Sequence, residues 1–251
     1  MQLIAVEAKW AEFASWTAET LGARTDSTYW LDRSYSLSSE AGKPSVTAYI
    51  VMRKAQQAVD RMSSSEALDL ANQARLMPHN SDRDLALSHI RLAQAHSLVR
   101  DSLQSRSAIE RAYQLVAKAD ALGDDESADT IGKHCTRSYV QLHEGFCRLR
   151  LGEPDRAIDI LLHTLEAWPT NYRQDEAVGR AWLACAYAAT GNSRDAGLQG
   201  LATLEAAVAV ESVRAMRTLG QLSVTLRELP ACPESDRFQA AYRFAARSRR
   251  M

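Results

Sequence analysis

No two cysteines of this sequence lie close enough to suggest a shared metal or a small disulfide loop. Cys135, Cys147, Cys185 and Cys232 are dispersed and form no C-x-x-C pair. That excludes a disulfide frame and fits reduced thiols packed among helices. Charge of one sign is lacking too: 30 basic residues stand against 31 acidic ones, a formal net charge of −1. No overall field therefore draws the chain to nucleic acid or to an anionic membrane. Uncharged apolar runs stay far below the ~20 residues of a membrane span. The opening "MQLIAVEAKWAEFASW" places Glu7, Lys9 and Glu12 where a signal peptide needs an unbroken apolar stretch. A cytoplasmic protein with no membrane association is the expectation. Alternating β-branched runs are missing, which argues against strands. Also missing are a G-x-x-x-x-G-K-[ST] loop, a G-x-G-x-x-G turn, H-E-x-x-H and G-x-S-x-G, so nothing points to a nucleotide, a cofactor or a known catalytic frame.

What is present is helix after helix. Ala, Leu, Glu, Gln and Arg dominate, and 46% of residues are hydrophobic, enough for a packed core. Breakers recur at Gly22, Gly42 with Pro44, Pro78, Gly123, Gly152 with Pro154, Pro169, Gly191, and Pro230 with Pro233. Between them run stretches of about 13 to 20 residues with 3.6-residue apolar spacing. Ser63 with Glu66 has the spacing of a capping box. Asn80 or Ser81 suits the N-cap of a helix beginning near Asp82, and Pro154 suits a first helical turn. Roughly twelve helices joined by short turns are predicted, with the acidic "GDDESAD" at 123–129 as a solvated loop.

The chain also repeats itself. Residues 152–167 and 191–206 share seven identities in sixteen positions, ending in the phrase TLEA both times. Gly152 falls on Gly191, Ala157 on Ala196 and Leu162 on Leu201. A glycine closing one helix and a small residue opening a close approach for the next describe a helix hairpin. Leu162 and Leu165 are expected on its seam. This pattern resembles the tetratricopeptide repeat. Its first copy here matches at Gly145, Gly152, Ala157, Leu161 and Pro169, and its second at Leu183, Ala184, Tyr187, Gly191 and Ala196. Fainter copies run through Ala55, Ala67, Ala71, Ala74 and Pro78, and through Ala108, Ala112 and Leu115. The predicted fold is all-α: one domain over 1–251, a tetratricopeptide-like α-solenoid of about six hairpins in a right-handed superhelix.

"WAEFASWTAETLG", "YWLDRSYSLSSEAG", "TAYIVMRKAQQAVD" and "YRQDEAVGRAWLACAYAATGN" carry a further likeness. They resemble the C-terminal tetratricopeptide-like region of actinobacterial Xre-type helix-turn-helix regulators, over roughly residues 3 to 220. In that family the repeat array follows the DNA-binding module and serves sensing or interaction. The resemblance thus implies a regulatory repeat domain. This chain begins at the array, so no direct nucleic-acid binding is expected of it.

Candidate chemistry is sparse. His143 and Cys147 are one helical turn apart, with Cys135 further back, but structural zinc takes four ligands in closer pairs, so a packed thiol and imidazole are expected there. A Cys147–His143 nucleophilic pair has no oxyanion hole or orienting group to go with it. Gly197 and Gly200 read as close-contact points between helices. The five tryptophans, and Phe13 beside Trp16, read as core. One constellation points to binding. Tyr49, Arg53, Gln56 and Asp60 share one side of the 43–61 helix, Gln94 takes the Arg53 place in the next hairpin, and Tyr139 and His143 take the Tyr49 and Arg53 places in the one after. Tyr offers rigid amphipathic area and Arg a fork for carboxylate or phosphate. The sequence therefore predicts a non-enzymatic domain without cofactor or metal. It would bind a peptide, a small molecule or a partner protein in a concave groove lined by these seven residues. The alternative is a structural scaffold or homodimerisation module, for which the aromatic last helix offers a cap or a patch.

Overall fold

A computed structural model of the chain describes residues 2–79, 81–122 and 131–248. These residues form twelve helices and no strand: α1 (Gln2–Thr20), α2 (Arg24–Glu40), α3 (Pro44–Asp60), α4 (Ser64–Leu76), α5 (Asp82–Leu98), α6 (Ser102–Ala121), α7 (Arg137–Arg150), α8 (Pro154–Glu166), α9 (Arg173–Ala189), α10 (Ser193–Ala209), α11 (Val213–Thr225) and α12 (Pro233–Ser248). The acidic segment 123–129 and Asn80 lie outside the described residues.

One backbone device makes most of the turns. At Gly22, Gly42, Met62, Arg100, Gly152, Gly191 and Glu211 the chain enters the left-handed region, with φ between 53° and 81°. At each, the N–H of that residue and of the next fold back onto carbonyls of the finishing helix, as in Gly42 N to Ser39 O and Lys43 N to Ser38 O. This is the Schellman closure, which satisfies carbonyls that a helix end otherwise leaves without partners. The following residue then caps the next helix. Asp101, Asn192 and Ser212 do so with side-chain oxygens that accept from Gln104 N, Asp195 N and Ala215 N. A helix thus stops and its successor starts within three residues, which folds the pair into a hairpin. Ser81 caps α5 by accepting from Asp84 N. Ser63 occupies the N-cap of α4 but accepts no helix N–H, and Glu66 pairs with Arg61 at 2.7 Å instead of closing the expected capping box.

The chain divides into two compact units, Met1–Val140 and Gln141–Met251, with the boundary inside α7. Within the first, hairpins α1–α2, α3–α4 and α5–α6 pack in chain order, α2 on α3, α4 on α5 and α3 on α5. Alanines line the seams: Ala8 and Ala11 of α1 against Leu37, and Ala67, Ala71 and Ala74 of α4, all buried. Leu31, Val46 and Ile50 form a core with Tyr35 and Ile131 packed on it. In the second unit α8 packs on α9, α9 on both α10 and α11, and α10 on α12. This is α-solenoid stacking, each hairpin covering the face of its neighbour.

Close approach between helices of the second unit needs residues without a side chain. A Cβ on Gly200 would stand 2.8 Å from Leu222 Cδ2 and 3.0 Å from Phe238 Cδ2. One on Gly197 would meet the Glu234–Ser235 peptide at 2.6 Å. Two sequence expectations need correction. Leu162 is exposed, and Leu161, one position earlier, holds the seam beside Leu165. Trp10, Phe13, Trp16 and Trp30 are exposed rather than core, and Trp168 is half-buried; Trp182 is buried as expected.

Candidate functional site

Arg53 lies buried on α3, and all three of its nitrogens are directed to side chains. Nε donates to Glu12 Oε1 at 2.9 Å and Nη2 to Glu19 Oε2 at 3.0 Å, both on α1; Nη1 donates to Gln56 Oε1 at 2.8 Å. Glu12 and Glu19 are seven residues apart, so two turns of α1 bring both carboxylates to the same side of the helix. Burial opposes the guanidinium charge, but Glu19 and Glu12 outweigh it and its pKa is raised. Tyr49, one turn before Arg53, is held protonated by burial and by the charge of Glu12.

A second layer repeats the first. Arg91 of α5 is buried and donates to Gln94 Oε1 at 2.7 Å and to Tyr139 Oη at 2.8 Å. Arg53-Lys54-Ala55-Gln56 and Arg91-Leu92-Ala93-Gln94 are the same phrase, Arg-x-Ala-Gln, in successive first helices of hairpins. The structural counterpart of Arg53 in the third hairpin is therefore Arg91, and Gln94 corresponds to Gln56, which corrects the register expected from the sequence. Beside this layer His134 meets the Tyr139 ring edge-on at 5.0 Å. The buried carboxylate of Asp84 accepts from Gly132 N at 2.7 Å, and Arg83 Nη1 donates to Cys135 O at 2.8 Å.

Of the seven residues singled out from the sequence, Tyr49, Arg53, Gln56, Gln94 and Tyr139 are all buried in the first unit, and Asp60 is half-buried there. Arg53 with Gln56, and Arg91 with Gln94 and Tyr139, form interior hydrogen-bonded layers. The carboxylates that complete the Arg53 layer keep some access to water: the side chains of Glu12 and Glu19 are each 16% exposed. His143 belongs to the second unit. It is buried with its ring 5.5 Å from that of Trp182, which also packs on Phe146. Cys147 is buried nearby in sequence, and burial pushes the Cys135 thiol up to about 12. Among the described residues no three His, Cys, Asp or Glu side chains converge as a metal site would require.

Sequence reasoning missed Glu12, Glu19, Arg91 and Asp84. The Arg-x-Ala-Gln echo was a usable signal for Arg91. The carboxylates carried none, because their pairing with Arg53 spans 41 and 34 residues. Neither known protein families nor curated proteins give a match to this chain. The fold defines its class as an all-α protein of stacked helical hairpins, an α-solenoid. No helix among the described residues is long and apolar enough to cross a membrane.

Proposed function

We propose that the chain is a non-enzymatic binding module, the sensing or interaction part of a regulator of the Xre-like kind its sequence resembles. Its ligand is an anionic group on a peptide or small molecule, received by Arg53. The supporting observation is the Arg53 clasp, in which two carboxylates of α1 already occupy the guanidinium. They mark the chemistry that this position accepts, since a planar fork favours carboxylate and phosphate. An incoming anion competes with Glu12 and Glu19, releases α1 from α3 and so changes how the first hairpin sits on the second. Binding and conformational response are then one event.

The test is isothermal titration of the full chain with carboxylate-bearing peptides and phosphorylated metabolites. Glu12→Gln with Glu19→Gln removes the internal competitors and is expected to tighten binding at least about tenfold, a change of ~1.4 kcal/mol. Arg53→Lys keeps the charge, loses the fork and is expected to weaken it. Absence of binding to both the wild type and the double variant sinks the proposal. A second reading, a scaffold used as a homodimer or bridge, is favoured by the exposed aromatic face of α1.

A further inference from the structure

The exposed apolar side chains of α1 are not scattered. Leu3, Val6, Trp10 and Phe13 follow one another at spacings of three and four, and are 85%, 52%, 67% and 52% exposed. Trp16 extends the row at 42%. The rings touch each other and run along the helix, Trp10 edge-on to Phe13 at 6.0 Å and Phe13 stacked on Trp16 at 5.9 Å. The opposite side of α1, with Ala8, Ala11, Ser15 and Ala18, is buried. This helix therefore has two apolar sides, and among the described residues only one of them is covered.

The row has the a/d spacing of a coiled-coil seam, continued by Thr17 and Thr20. With aromatic rings of 150–250 Å² each, its five large side chains leave on the order of 600 Å² in water. That is the upper end of what a monomer exposes in one patch, and most of the roughly 800 Å² per partner of a standard interface. The far end of the chain is different. The exposed positions of α12 include Asp236, Arg237, Arg243 and Arg247, with Phe244 the one large apolar residue among its exposed described positions. A contact between α12 of one copy and α1 of another would set charge against aromatic surface. Pairing α1 with itself about a two-fold axis matches like with like and closes.

We infer that a second copy of this chain docks on α1, antiparallel, with Trp10 against the partner subunit's Phe13. In that register Val6 lies opposite the partner subunit's Thr17 and Leu3 opposite the partner subunit's Thr20, so the two-fold axis passes between the aromatic layers. The pair buries the large aromatics at its centre and leaves the small Thr residues at its ends, the arrangement of an interface with a central anchor. This inference is independent of the ligand proposed for Arg53, which lies on α3; Trp10 and Phe13, at the centre of the proposed contact, stand on a different side of α1 from Glu12 and Glu19.

Sedimentation equilibrium of the full chain from about 1 to 100 µM tests it, with Trp10→Glu and Phe13→Glu as variants. Both side chains are mainly in water, so neither change removes intrachain core, and circular dichroism at matched concentration verifies that helicity is kept. The expected result is a dimer for the wild type, with association weakened at least a hundredfold in favour of monomer in either variant. Hydrogen exchange of the wild type, compared at the two ends of the concentration range, is expected to show added protection confined to residues 2–20. A wild type that is monomeric throughout, a dimer that survives both substitutions, or concentration-dependent protection elsewhere overturns the proposal. Ligand titrations on Trp10→Glu keep the two proposals separable, since loss of the dimer leaves the Arg53 clasp intact.

Discussion

Arg53 and His89 represent the two ways this protein keeps charge inside. Arg53 is neutralised by Glu12 and Glu19, whose charges offset the cost of burying the guanidinium. Arg53→Ala would leave them facing each other without a cation. It is expected to lower stability by about 3 kcal/mol, read from urea unfolding, whereas Arg53→Lys is expected to lose less. His89 is treated differently. Burial, then the charges of Arg111, Arg75 and His79, holds it down to about 4. His79 and His96 are lowered in the same direction, chiefly by burial. A histidine whose folded pKa lies below its unfolded value of ~6.5 binds fewer protons folded than unfolded. Its stabilising contribution is complete above ~6.5 and declines as pH falls toward 4. Urea midpoints should drop between pH 7 and pH 4, and His89→Gln should flatten that drop; an equal slope in the variant would refute the account.

At the scale of the element, the turns matter more than the helices. Seven left-handed residues close seven helices, but only Gly22, Gly42, Gly152 and Gly191 are residues that enter this region without strain. Met62, Arg100 and Glu211 hold it at a cost, because an L side chain crowds the following carbonyl. Arg100→Gly and Glu211→Gly are each expected to stabilise by about 0.5–1 kcal/mol, net of the extra chain entropy of glycine, and thermal melts would show it. Gly197→Ala goes the other way. Its Cβ would meet the backbone of Glu234 and Ser235, which cannot rotate aside, so a loss of roughly 1–3 kcal/mol is expected as α12 is pushed off α10.

For the whole molecule, the unpartnered row on α1 has a thermodynamic consequence. If a second copy binds only the folded chain, mass action raises the melting temperature with protein concentration. The wild type should melt higher at 100 µM than at 1 µM, and Phe13→Glu should abolish the difference. A melting temperature independent of concentration in the wild type would argue for a monomer. The division into Met1–Val140 and Gln141–Met251 also separates the polar residues by unit. The Arg53 and Arg91 layers belong to the first, and His143 with Trp182 to the second.

The sequence by itself determined the hairpins. Apolar spacing, the Gly and Pro punctuation and small residues such as Ala157, Ala196, Gly197 and Gly200 are local signals, and local hydrogen bonding and close packing obey them. It also placed Tyr49, Arg53 and Gln56 on one side of a single helix, a matter of 3.6-residue geometry. Only the tertiary structure decided that this side is closed by Glu12 and Glu19, because an ion pair across 41 residues leaves no periodic trace. It likewise decided that Trp10, Phe13 and Trp16 face outward. An amphipathic pattern reports that a helix has apolar sides, but which of two such sides the chain covers depends on where its neighbours pack.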